Sequence, residues 1–177
     1  MESLWAPLDT LPPVAGPDNV RAAVLVPLYE DERRLRLILT RRPSDMRTHA
    51  GDVVFPGGVL DPEDDGPVGA ARREAWEEIA LPPDHVEVIG GLTPVYTRGS
   101  EMLVVPVVAR VRRPVELVPA PDEVEAIIEP TIDELLDDNA WHTEDWAGHP
   151  VWFFEFPEGI LWGATARMVR DLLRYFR

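Results

Sequence analysis

FPGGVLDPEDDGPVGAARREAWEEIAL, residues Phe55 to Leu81, is the stretch on which the reading of the fold turns. It opens on Pro56-Gly57-Gly58, a strong break in any regular element, and crosses a polar loop to Pro67. From Pro67 to Ile79 the pattern becomes helical: Val68, Ala71, Ala75 and Ile79 recur at three- and four-residue spacing, and proline is tolerated in a first turn. Pro82-Pro83 ends the helix. At about 100° per residue, Glu74, Glu77 and Glu78 fall within roughly 100° of one another on one side. Like charges at such spacing destabilise a bare helix by roughly 0.2 to 0.5 kcal/mol per pair. Arg73, four residues before Glu77, supplies one cation; Glu74 and Glu78, also four apart, have none of their own. A divalent metal fits that gap, and oxygen-only ligands favour hard ions such as Mg2+ or Mn2+. Gly57 and Gly58 let backbone approach such a centre closely. Charge alone reads equally well as a solvated acidic face.

Outward from this helix, β-rich runs at Val20 to Leu28 and Leu35 to Arg41 flank the polar Tyr29 to Arg34, as in a hairpin, and a short run covers Val53 to Phe55. Downstream, strands are expected at about 86 to 96, 102 to 111, 123 to 129 and 151 to 156, with a short helix near 131 to 138. WGATARMVRDLLRYF closes the chain as an amphipathic helix: Met168, Val169, Leu172, Leu173 and Phe176 form an apolar stripe opposite Arg167, Arg170 and Arg174. Met168, Leu172 and Phe176 are therefore assigned to packing. Residues 1 to 19, with prolines at 7, 12, 13 and 17, read as an irregular lead-in that has room for one helical turn. Residues 20 to 177 form one domain, without repeats or linkers. Many strands and few helices imply an α/β sandwich, a mixed sheet covered on both faces.

Length and composition agree. The 177 residues, 45% apolar and 28% charged, fit one globular domain. Net charge is -15, and no basic stripe is present, which disfavours binding to nucleic acid by the bulk surface. An acidic chain can still hold an anion where a metal and a few arginines reverse the local field. Every one of the 17 basic residues is arginine, and cysteine is absent. Disulfides, thiolate chemistry and Schiff-base lysines are excluded. The N-terminus lacks the form of a secretory signal and no apolar run suffices to span a bilayer, so no membrane partner and a cytoplasmic location are expected.

The segment 55 to 81 resembles the signature of the Nudix hydrolases: Gly, five residues, Glu, seven residues, Arg-Glu, an apolar residue, any residue, Glu-Glu, any residue, Gly, apolar. Gly58 opens the match, Arg73-Glu74-Ala75-Trp76-Glu77-Glu78 forms its centre and Leu81 closes it. Two positions depart. Counting back from Arg73 puts Asp65 at the acidic position, with six residues rather than five between it and Gly58 and with Asp64 competing for the role; Ala80 replaces the final glycine. If Ala80 needs positive φ, the substitution costs on the order of 1 kcal/mol but removes no ligand. LTRRPSDMRTHAGDVVFPGG, residues 39 to 58, further resembles the extended motif of the coenzyme A diphosphatase branch, through Leu39, Thr40, Arg42, Arg47, His49, Gly51, Phe55, Pro56, Gly57 and Gly58. Met46 stands for leucine there and Asp52 for glutamine. Similarity continues in residues 92 to 111, in PDEVEAIIEPTIDELL and in LWGATARMVRDLL, so the resemblance covers about residues 20 to 176.

That resemblance implies a Nudix fold, an α/β/α sandwich with a mixed β-sheet and a metal-binding helix. It implies hydrolysis of the pyrophosphate of coenzyme A or acyl-CoA to 3',5'-adenosine bisphosphate and 4'-phosphopantetheine or its acylated form, with Mg2+ or Mn2+. Glu74 and Glu78 would hold metal, helped by Glu77 and the Gly58 carbonyl, and Arg73 would orient Glu77. A neighbouring glutamate takes the proton from water; Glu77 is one candidate, and Glu123 and Glu125, outside the helix, are others, read otherwise as a solvated strand entry. Arg42, Arg47 and His49 precede the Gly57-Gly58 turn and would meet substrate phosphates with Gly57; the alternative is exposed loop arginines and a histidine that braces the turn. Trp76 points away from the carboxylate face, whereas Trp141, Trp146 and Trp152 have no placement from sequence. Two other functions stay open: hydrolysis of another nucleoside diphosphate derivative such as ADP-ribose or a dinucleotide polyphosphate, and nucleotide binding without cleavage. The partner is a small nucleotide in either case, and the family resemblance carries an expectation of a homodimer.

Overall fold

The computed structural model describes residues 1 to 97 and 101 to 177. Arg98, Gly99 and Ser100, inside the resembling segment 92 to 111, lie outside the described residues. β1 (Ala22–Asp31) turns back through Glu32 and Arg33, both at positive φ, into β2 (Arg34–Leu37). β3 (Leu39–Arg41), β4 (Asp52–Val54) and β5 (Gly57–Val59) lead to the long helix α1 (Gly66–Ile79). Beyond it come β6 (Val86–Gly91), β7 (Val95–Tyr96), β8 (Leu103–Val111), β9 (Ala126–Ile128) and the short α2 (Ile132–Leu136). β10 (Trp141–Trp146), β11 (His149–Phe156), β12 (Gly159–Trp162) and the terminal α3 (Gly163–Leu173) complete the chain.

The strands form two mixed sheets of six strands each rather than the single sheet expected. The first runs β2-β1-β8-β6, with β5 on β1 and β7 on β8. Its centre is the parallel pair β1/β8, in which Ala22 lies opposite Val104 and Leu28 opposite Arg110. The second runs β10-β11-β12-β4-β3-β9, parallel only between β12 and β4. The run read as one strand from Leu35 to Arg41 is shared between the sheets, since Leu37 ends β2 and Leu39 begins β3. Likewise the strand expected over 86 to 96 breaks between Gly91 and Val95, the one over 123 to 129 shrinks to three residues, and the terminal helix ends in a 3-10 turn at Arg174–Phe176.

Period-two alternation along the central strands explains why the first sheet needs cover on both faces. On β1, Ala22, Val26 and Leu28 enter one core while Ala23, Leu25 and Tyr29 enter the other. On β8, Val104 and Val108 join the first set, and Val105, Val107, Ala109 and Val111 the second. The first core lies toward the second sheet and α3, whose Met168, Val169, Leu172 and Leu173 are buried there as the apolar stripe predicts. The second lies under α1, which presents Ala70, Ala71, Ala75 and Ile79, all fully buried. Three of those four are alanines, so α1 can approach the sheet closely and carry its glutamates against β5.

The lead-in is packed onto this frame. It contains a 3-10 turn at Ala6–Thr10, and Trp5 and Leu8 belong to the first core. The Gly91 N–H donates to the Pro12 carbonyl at 2.9 Å, and the Arg110 guanidinium lies 4.0 Å above the Trp5 ring. No residue of the lead-in lines the cavity described next; Asn19, at its end, reaches the rim by donating to the Tyr96 hydroxyl at 3.0 Å.

Candidate active site

The site is built where α1 faces β5. Gly57 and Gly58 pair with Val24 and Ala23 of β1, and a methyl group added at Gly57 would lie 2.5 Å from the Ala23 carbonyl oxygen. At Gly58 the added carbon would press on a Glu74 carboxylate oxygen. The backbone of the neighbouring strand thus leaves room only for glycine at position 57, whereas a side chain at position 58 would displace the Glu74 carboxylate from its present place. Ala80 ends that helix in the left-handed conformation, φ 54° and ψ 34°, with Ala80 N–H donating to Trp76 O and Leu81 N–H to Ala75 O. The position taken by glycine in the family signature needs positive φ here as well.

Arg73 closes the loop between β5 and α1. It donates to Asp64 through two nitrogens at 2.9 and 3.0 Å, to the Val59 carbonyl at 3.1 Å, and to Glu74 and Glu77 at 3.2 Å each. Asp64, with 6% of its side chain exposed, therefore holds the acidic position for which it competed with Asp65; Asp65 is exposed and precedes the first residue of α1. Five residues, as in the family signature, separate Gly58 from Asp64, and the extra residue falls between Asp64 and Arg73 at the helix entry, where Gly66 has φ 62°. The Arg73 hydrogen bonds hold the Asp64 carboxyl below the usual carboxylate range, and the Asp64 bonds in turn raise the pKa of Arg73. Arg73 stays a cation and is spent entirely on the protein's own acceptors.

Glu74 and Glu78 point into a cavity of about 850 Å³. Burial pushes both carboxyls above their ordinary range: Glu78 to about 8, by burial first, then by the charges of Glu74 and Glu123, and Glu74 upward against the pull of Arg73. The two glutamates are hydrogen-bonded to each other, and Gly57 N–H donates to Glu78 at 3.4 Å. Among the described residues no set of three histidine or acidic side chains already stands at metal-ligating spacing. A buried carboxyl pair whose ionisation is suppressed for want of a cation is nonetheless a donor set suited to a hard divalent ion. Partly buried and facing one cavity, the pair would gain most from Mg2+ or Mn2+.

Of the residues singled out from sequence, Arg42, His49, Gly57, Gly58, Glu74, Glu78 and Glu123 line this one cavity. Arg47 is exposed and does not line it. Glu77 is also outside, its side chain 51% exposed and held by Arg73. Glu125, the alternative to Glu123, forms an ion pair with Arg41 and accepts from Ser44. His49 contacts Asp52, Nδ1 to Oδ2 at 3.1 Å, and has φ 54°, so it also braces its turn. The far wall was not legible: Trp146, His149, Trp152 and Trp162 come from the β10–β12 meander, joined by Arg167 and Met168 of α3. There Trp162 stacks on Phe153 at 5.9 Å and 5°, and Trp146 packs 5.5 Å from Trp162. The sequence signal for this wall is Trp162-Gly-Ala-Thr-Ala166, the start of the resembling segment LWGATARMVRDLL, of which Trp162 to Thr165 line the cavity.

Comparison with known proteins places this architecture. The NUDIX domain model matches residues 19 to 154. A protein of Photorhabdus laumondii described as the uncharacterized Nudix hydrolase NudL is 38% identical over 166 residues, covering 91% of this chain and 88% of its own length. The NudL protein of an Enterobacter species is 39% identical, covering 86% and 80%. Among solved structures, a Nudix hydrolase from M. smegmatis, RenU, superposes with a TM-score of 0.56 at 22% identity, over 70% of this chain and 81% of that one. The C. elegans Ap4A hydrolase complex superposes with a TM-score of 0.56 at 18% identity, over 66% and 83%. The mixed α/β architecture is that of these folds, and with the signature helix, its arginine clamp and the buried glutamate pair in place, the chain belongs to the Nudix hydrolase family, whose members act on nucleoside diphosphate derivatives.

Proposed function

We propose that this protein hydrolyses the pyrophosphate of coenzyme A or acyl-CoA, releasing 3',5'-adenosine bisphosphate and 4'-phosphopantetheine or its acylated form. One observation carries the proposal: both segments that set the coenzyme A diphosphatase resemblance apart converge on the cavity of the signature glutamates. Arg42, Met46 and His49 come from the extended motif, and Trp162, Gly163, Ala164 and Thr165 from the Trp-Gly-Ala-Thr-Ala segment. The cavity is also of mixed character, acidic at the helix end and aromatic at the other, which suits a molecule with a charged middle and less polar arms.

Glu74 and Glu78, with the Gly58 carbonyl and Glu77 as further candidate ligands, would hold Mg2+ or Mn2+. Bound there, the ion supplies Lewis-acid stabilisation of charge on the phosphate oxygens and lowers the pKa of water. Arg73 acts as a positioning residue, since its donors fix Asp64, Glu74 and Glu77 rather than the substrate. Arg42 orients the pyrophosphate, and its Nε is buried without an acceptor, a donor set aside for an anion. Glu123, which lines the cavity and adds its negative charge to the field at Glu78, takes the proton from the attacking water; Glu77, held outside by Arg73, is less well placed. The test is incubation of the protein with coenzyme A and Mg2+ or Mn2+, followed by chromatography for 3',5'-adenosine bisphosphate. Product from wild type and none from Glu78→Gln is the expected result; no product with either metal overturns the substrate.

A further inference from the structure

The arginines of the terminal helix have no part in the machinery above. Arg167, Arg170, Arg174 and Arg177 recur at three- and four-residue spacing, one row in a chain of net charge -15. They line a second cavity of about 430 Å³ that shares two walls, Trp152 and Arg167, with the main one. Their charge is only partly met. Arg177 is bidentate to Asp138 at 2.7 and 3.0 Å, and Arg174 pairs with Asp171 at 3.3 Å. Asp171 also accepts from Thr93 N–H at 3.0 Å. Arg167 is exposed and, among the described residues, has no carboxylate partner. Arg170 is held flat against Trp152, its central carbon 3.5 Å from the ring centroid, with Trp141 at 5.1 Å. Its Nη1 is buried with no acceptor. Burial and the charge of Arg177 lower its pKa, and Asp138, which acts against them, is already engaged by Arg177.

A fixed, desolvated guanidinium lacking an anion, beside a second unpaired one at the mouth of a nucleotide cleft, calls for a small dianion. We infer that Arg167 and Arg170 form a phosphomonoester subsite at the aromatic end of the cleft, which selects nucleotides bearing a phosphate in addition to the pyrophosphate that is cleaved. The inference rests on the proposed reading for its substrate, because coenzyme A carries such a group on its ribose. The subsite itself is a matter of binding. Trp152 forms its floor and Arg170 is pre-positioned on that floor, so little side-chain entropy is lost when a phosphate arrives. Arg167 spans both cavities and would bridge the additional phosphate to the rest of the nucleotide.

Two measurements test it. The first is affinity for adenosine 3',5'-bisphosphate against adenosine 5'-monophosphate, by titration calorimetry, in wild type, Arg167→Ala and Arg170→Gln. Wild type is expected to prefer the bisphosphate by about tenfold or more, equivalent to about 1.4 kcal/mol. Arg167→Ala, at an exposed position, should reduce that preference to within about twofold. Equal affinities in wild type, no binding of either nucleotide, or a preference that survives in both variants would overturn the subsite. The second is kcat/KM for coenzyme A against dephospho-coenzyme A. A preference for coenzyme A that Arg167→Ala abolishes supports the subsite. Equal rates on both substrates leave the hydrolase reading standing and remove the subsite. Hydrolysis of neither, with the nucleotide preference intact, removes the coenzyme A reading and leaves the subsite.

Discussion

Replacing Glu78 with glutamine should make the metal-free protein more stable and inactive. In the folded chain the Glu78 carboxyl is pushed up to about 8 from an ordinary 4.5, by burial first and by the charges of Glu74 and Glu123 next. Between those two values the folded protein keeps a proton that the unfolded chain has released, so stability falls as pH rises, by up to about 1.4 kcal/mol per pH unit. Integrated from about pH 5 to about pH 8, the loss attributable to this one group is on the order of 3 kcal/mol. Glutamine does not titrate, and its carbonyl can still accept from Gly57 N–H. Urea unfolding of wild type and Glu78→Gln at a series of pH values, both in chelator, isolates Glu78 together with its effect on Glu74, because the titrations of groups away from this pair are common to the two proteins. The variant's advantage should widen steadily from acid to mild alkali, and Mg2+ should narrow it by stabilising wild type. Turnover of the variant should fall by about 100-fold or more. Parallel stability curves across that range would refute the reasoning, for they would mean that Glu78 ionises without penalty and that no uncompensated charge awaits a cation.

Other consequences can be measured more simply. Ala80→Gly relieves a left-handed alanine at a helix end and should raise stability by about 0.5 to 1 kcal/mol in denaturant titration, with kcat unchanged. Asp64→Asn takes a charged acceptor from the Arg73 clamp and should cost about 1.5 to 3 kcal/mol, read as a lower Tm; retention of wild-type Tm would show that Val59 and the helix glutamates suffice. Arg42→Ala should lower kcat/KM by about 10- to 100-fold without loss of Tm, whereas Arg41→Ala, at a residue engaged by Glu125, should leave kcat/KM within about threefold of wild type.

The parts of this fold legible in the sequence are those where a periodic pattern meets a buried surface. The continuous apolar runs of β1 and β8, buried on both faces, and the apolar stripe of α3 are each imposed by burial, and each is readable. β10 was not, because it is an edge strand: from His142 to Trp146 every residue is exposed, so no apolar alternation marks it. β12, four residues long, merges in sequence with the helix that follows it. The division into two sheets was hidden for a different reason. It depends on where the chain changes partners near Ile38, a property of pairing rather than of composition. At the site, spacing placed the carboxylates on one helical face and paired Arg73 with Glu77, leaving Glu74 and Glu78 without a cation, but it could not show which other segments would join that pair in one cavity. Nor could it choose between Asp64 and Asp65, since the choice depends on where the extra residue of the loop is absorbed.

The arginines explain how so acidic a protein can hold an anionic substrate. Burial raises the pKa of both Glu74 and Glu78, and the charge of Glu74 raises that of Glu78 further, so without a metal the floor of the cleft carries less negative charge than two free carboxylates would give it. With a divalent ion present, both carboxylates would ionise and their charge would be matched locally. In neither state does the floor strongly repel a pyrophosphate, and the sign of the local field then depends on the walls. Arg73 and Arg41 contribute little there, because each is bound to carboxylates of its own. Arg42 on one wall and Arg167 on the other have no such partner among the described residues and line the same cavity. The negative charge of the remaining surface is set apart from them by solvent and screened over about 8 to 10 Å at ordinary ionic strength. Selectivity for an anion thus follows from which few arginines are left unpaired, and the net charge of the chain has little influence on it.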